Sequence, residues 1–175
     1  MPNIAILFFP LLMAFAASSD LLTMRISNKL VLLLAAGFVG IALLVEMPLQ
    51  QFAMHVLCAA IVLVVAFVMF ALRWIGGGDA KLAAATALWL GFANSSGQPS
   101  LMTYLAYTAI FGGLLTLAIL MLRRIPLDGV FYGRPWLNWL NRLHDPKQGV
   151  PYGVAMALAG ILVYSNTSIF GYLSA

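Results

Sequence analysis

Two aspartates, Asp20 and Asp79, are the residues of this chain best suited to chemistry. Asp20 lies at the end of an apolar run. Asp79 closes the stretch Gly76-Gly77-Gly78-Asp79 and leads into Lys81 and another apolar run. Only 5 of 175 residues are acidic, and an ionisable group inside a bilayer costs roughly 2.5–3.5 kcal/mol on insertion scales, so each such group is a functional candidate. Two carboxyls within hydrogen-bond reach cannot both ionise cheaply; one keeps its proton and the pair titrates as a unit. The ionised member can take a proton from an attacking water. The protonated member can stabilise the carbonyl oxygen and then protonate the departing amine. Such a pair hydrolyses peptide bonds. Glycines beside Asp79 would let backbone, or an extended substrate, come close to the acid.

Each acid also has a structural reading. Aspartate is a favoured N-cap, and the glycines before Asp79 suit a tight turn into the next helix. Asp20 sits where a helix macrodipole disfavours negative charge, with Arg25 nearby as an ion-pair partner. Asp128 before Gly129 and Asp145 before Pro146 read as turn residues. Other catalytic plans fit less well. No serine has a Gly-x-Ser-x-Gly setting, and Ser27 with Asn28 reads as a helix cap rather than as half of a Ser/Lys dyad with Lys29. His55, His144 and the single cysteine, Cys58, are too scattered for a zinc site, so no metal and no cofactor are expected.

The elements that must position the aspartates are membrane helices. The chain is 63% hydrophobic and 8% charged, against about 25% charged in soluble domains, which excludes a soluble globular protein. Apolar runs fall near residues 4–22, 29–47, 52–72, 80–93, 101–122 and 150–165. About 20 helical residues cross the hydrocarbon core, so the expectation is an all-α polytopic protein of about six transmembrane helices, a single domain over 1–175. The fourth run is short and the sixth marginal. The first is read as a retained helix: no basic residue precedes it, and it is longer than a signal-peptide core. Trp136, Trp139, Leu140 and Leu143 follow helical spacing and predict a short amphipathic helix at the membrane interface.

Arg25 and Lys29 lie between the first two runs, Arg73 and Lys81 between the third and fourth, and Arg123, Arg124, Arg134, Arg142 and Lys147 between the fifth and sixth. These are all 9 Lys and Arg residues. The positive-inside rule puts those loops in the cytoplasm and both termini outside. It places Asp20 and Asp79 at one depth on the cytoplasmic side, with Glu46 on the opposite face. Basic residues placed this way suit lipid headgroups rather than nucleic acid.

Gly76-Gly77-Gly78-Asp79-Ala80-Lys81-Leu82 resembles the GxGD signature of type IV prepilin peptidases, a family of membrane aspartic peptidases. Asp20 to Leu30 resembles the family's first-aspartate region, with Ser27 where proline is usual. Val150-Pro151-Tyr152-Gly153 is similar to a Pro-Tyr-Gly the family often has before its last span. The resemblance implies a prepilin leader peptidase of the GxGD aspartic protease type, with Asp20 and Asp79 catalytic. Gly76, Gly78 and Lys81 are motif positions with a structural or substrate-contact role, Lys81 reading best as a side chain that snorkels to headgroups. The implied partners are pilin-like precursors, whose short basic leader is removed at the cytoplasmic face of the inner membrane. The chain lacks the cysteine-rich segment of the large bifunctional members and looks most like the small peptidase-only branch of tight-adherence (Flp) pilus systems; archaeal preflagellin peptidases are also similar. The rival reading from the residues is a small transporter or proton/cation pathway with functional intramembrane aspartates. It predicts a second broken helix to match the Gly-rich one, and the sequence shows no mate for that Gly-rich break.

Overall fold

The computed structural model describes residues 2–94, 96–125, 138–146 and 148–174. Among these the chain is helical throughout: α1 (Pro2–Thr23), α2 (Asn28–Leu44), α3 (Leu49–Ala71), α4 (Gly77–Leu90), α5 (Ser100–Arg123), α6 (Asn138–His144), α7 (Tyr152–Tyr164) and α8 (Ser168–Ser174). All six apolar runs form helices. Of these, α1, α3 and α5 are long and apolar enough to cross a membrane, and α7 and α8 qualify as a fourth span when taken as one segment bent by 55°. At 17 residues α2 is shorter, and α4 has only 14. The break between α7 and α8 falls at Ser165-Asn166-Thr167, where the Thr167 hydroxyl accepts the amide of Phe170 at 3.3 Å and caps the new helix.

Local sequence explains the other boundaries. Ser27 is the N-cap of α2, as expected, its hydroxyl accepting the amide of Leu30 at 3.2 Å. Glu46 and Arg73 take left-handed φ values of 51° and 62°. Their amides and those of Met47 and Trp74 bond back to the last turns of α2 and α3, closing both helices in Schellman fashion without glycine.

The core is built around α4. Ala80, Leu82 and every residue from Ala84 to Leu90 are buried, and α4 packs against α3, α2 and α7. Trp89 is fully buried and donates its indole N–H to the Leu34 carbonyl at 2.9 Å. The rings of Phe8, Phe9, Phe38 and Tyr164 surround it. A helix apolar on all sides belongs inside a bundle. That accounts for its length: about 21 Å of helix need not match the bilayer when other helices enclose it. The outward face of α3 instead exposes Val64, Val65, Phe67 and Val68, as lipid contact requires.

The expected amphipathic helix is seen in part. Trp139, Leu140 and Leu143 lie on α6, with Leu143 buried. Trp136, Arg134, Asp128 and Lys147 lie outside the described residues.

Candidate active site

The end of α1 and the start of α4 meet at one end of the bundle. Asp20 is in the last turn of α1 and is only 6% exposed. A buried carboxyl requires a donor, and α7 supplies it: the amide of Gly153 donates to Asp20 Oδ2 at 2.7 Å, across 133 residues of sequence. Gly153 is the second residue of α7, so this N–H is one of the free donors of a helix N-terminus, where negative charge is favoured. That offsets the unfavourable position of Asp20 on its own helix. Among the described residues Asp20 forms no ion pair with Arg25.

The approach of α7 depends on glycine. A Cβ at Gly153 would lie 2.7 Å from Asp20 Oδ2 and 3.0 Å from its Cβ and Cγ. A turn away along α5, Gly112 makes the matching allowance for the Tyr152 ring, which a Cβ would meet at 2.5 Å. Two arginines tie the surrounding backbone. Arg123 Nε donates to the Leu143 carbonyl at 2.8 Å and its Nη2 to that of Gln148 at 3.0 Å, fixing the segment that enters α7. Arg142 Nη1 donates to the Leu22 carbonyl at 3.2 Å, satisfying one of the open carbonyls at the end of α1.

Asp79 is half-buried in the first turn of α4. It is not the N-cap that the glycine turn suggests. The helix begins three residues earlier than the apolar run, Gly76 is the cap, and Asp79 is the third helical residue. Its carboxyl reaches back to the Gly76 amide, which is the returning half of a capping box. The carboxyl is also near enough to Asp20 for the two charges to act on one another.

The other motif positions shape this end of α4. Gly76 has an ordinary extended conformation, φ −72° and ψ 147°; a Cβ there would stand 3.0 Å from Asp79 Oδ2. At Gly78 a Cβ would press on Ile26 at 3.3 Å, so its absence lets the α1–α2 turn close against α4. Lys81 is exposed. Its Nζ donates to Asn28 Oδ1 at 3.0 Å and pins the start of α2 to α4. His55 is remote from the acids, its Nδ1 2.8 Å from the Leu88 carbonyl near the far end of α4. Among the described residues no three His, Cys, Asp or Glu side chains gather as a metal site would need.

Sequence reasoning missed the amide of Gly153 as a ligand of Asp20, and Arg123 and Arg142 as its supports. The Pro-Tyr-Gly stretch pointed to the place, though not to the contact. The geometry leaves two carboxyls at one end of the bundle, each with a backbone N–H beside it and glycines around it. The profile of the type IV leader peptidase family matches residues 7–121, a stretch that includes both aspartates. No curated protein and no solved structure gives a match.

Proposed function

The chain belongs to the type IV leader peptidase family, and on that premise we propose that it is an aspartic endopeptidase in which Asp20 and Asp79 share the work. A water held between the carboxyls attacks the scissile carbonyl carbon and loses a proton to the ionised aspartate. The protonated aspartate donates a hydrogen bond to the carbonyl oxygen. As the C–N bond breaks, a proton passes to the leaving nitrogen, releasing an acid and an amine and returning the pair to its starting state. The observation that carries this reading is the convergence of the two acids, from distant segments, at one end of the bundle.

The substrates are pilin-like precursors, cut between a short basic leader and the hydrophobic helix that follows. The site faces the cytoplasm from the inner membrane, because in the sequence all 9 Lys and Arg residues fall in or beside the stretches that separate apolar runs one from two, three from four and five from six, and Asp20 and Asp79 border the first two of these. That orientation sets the carboxyls at the depth where such a leader emerges from the bilayer. The absence of a cysteine-rich insertion supports the small peptidase-only branch serving Flp-type pili. Gly76, exposed beside Asp79 and without a side chain, suits the passage of an extended chain there, while Gly78 serves the packing of the α1–α2 turn.

Co-expression with a pilin precursor, following the leader by gel shift, tests the proposal. Asp20→Asn and Asp79→Asn should each abolish processing while the protein still inserts in the membrane. Processing that survives either substitution removes that residue from the mechanism.

A further inference from the structure

Two turns deeper along α4 from Asp79, on the same face, lies Thr86. Thr86 is fully buried, and its hydroxyl donates to Met13 Sδ at 3.7 Å, a weak acceptor. Across from it on α5 stands Tyr104, also fully buried. The Tyr104 hydroxyl lies against those of Thr86 and Thr108 and in the field of Asp79. Even so, Tyr104 Oη and Thr108 Oγ1 are buried without a protein partner in hydrogen-bond geometry. Unmade hydrogen bonds are costly in so apolar a setting. The surrounding helices are otherwise filled with Leu, Ala and aromatic side chains, so three hydroxyls gathered at one level are a local exception.

Water is the ligand that suits such a cluster. It is small, it donates and accepts, and three hydroxyls provide the two to four polar partners that a buried water needs. The position also has a use. Asp79 lies half-buried two turns away on the same face of α4, and water held in the cluster would extend a polar environment from the interior toward its carboxyl as substrate displaces solvent from outside.

We infer that Thr86, Tyr104 and Thr108 form an internal hydration site beneath Asp79, with Tyr104 a positioning residue that acts on the carboxyl through the water held there. The site is independent of the proposed peptidase chemistry; its effect on turnover rests on that reading. Two measurements separate them. X-ray radiolytic hydroxyl labelling, which marks side chains next to ordered water, should modify Tyr104 in the detergent-solubilised protein far more than Phe38, an equally buried ring in an apolar setting. Equal protection of the two rings overturns the hydration site. In leader cleavage, Tyr104→Phe should lower kcat about threefold to tenfold with KM unchanged. Thr108→Val should do the same, and Thr108→Ser should restore the rate. Wild-type kcat in both Tyr104→Phe and Thr108→Val overturns the positioning role, and an Asp79→Asn variant that still cleaves overturns the aspartate reading itself. Should Tyr104→Phe fail to fold, the Thr108 pair decides the positioning role alone.

Discussion

Replacing Gly153 by alanine tests the contact that binds α7 to the buried aspartate. The new Cβ would lie 2.7 Å from Asp20 Oδ2, whereas ordinary contacts begin at 3.4 Å. Either the first turn of α7 or the Asp20 side chain must therefore retreat by about 0.7 Å, the difference between those two distances. That stretches or misaligns a 2.7 Å hydrogen bond of the charge-assisted kind, worth about 1.5–3 kcal/mol. At 1.36 kcal/mol per tenfold in rate, loss of the bond from the reacting state corresponds to a fall in kcat of about 10- to 150-fold, in keeping with the sensitivity of catalysis to sub-ångström displacement. The assay is leader removal from a pilin precursor, followed by mass spectrometry with purified protein in detergent. Gly113→Ala is the control: nothing lies within 4 Å of a Cβ there, and alanine favours the helix by up to about 1 kcal/mol, so its rate should match the parent. Full turnover by Gly153→Ala would refute the argument that this backbone amide governs the carboxyl.

Arg123→Gln should expose the segment from 143 to 149 to limited proteolysis by removing the guanidinium that holds the Leu143 and Gln148 carbonyls; leader cleavage should fall roughly threefold to tenfold as α7 loses its anchored entry. Trp89→Phe should lower stability by about 1–3 kcal/mol in denaturant titration, since it gives up the bond to Leu34 and leaves a partial cavity beside Phe9 and Phe38.

Hydropathy and loop charge were enough to read an all-helical membrane protein, because long apolar runs have few other uses. The placement of Asp20 and Asp79 at one end of the bundle was legible for the same reason: few acids are present, and the order of the apolar runs brings two of them to the same side. The start of α4 was harder to read. Glycine has low helix propensity, so Gly76-Gly77-Gly78 suggests a turn. Tertiary contact of Gly77 with Phe70 and of Gly78 with Ile26 instead winds the run into the helix and carries Asp79 inside. The partner of Asp20 was invisible, since a backbone amide has no residue type to betray it and lies 133 positions away. Tyr104, Thr86 and Thr108 were equally silent. In a helix that is apolar all round, no stripe marks which face meets which neighbour, and a lone hydroxyl on such a helix looks incidental until its companions are placed.

The enclosure of α4 has a mechanical consequence. Hydrophobic mismatch acts on helices that touch lipid, making them tilt or stretching the membrane around them, and here that load falls on the outward faces of α1, α3 and α5. The short helix bearing Asp79 is shielded from it by its neighbours. A change in acyl-chain length would be taken up at the periphery, with α4 and its Asp79 holding their place inside the bundle and only the α1 side of the site exposed to the load.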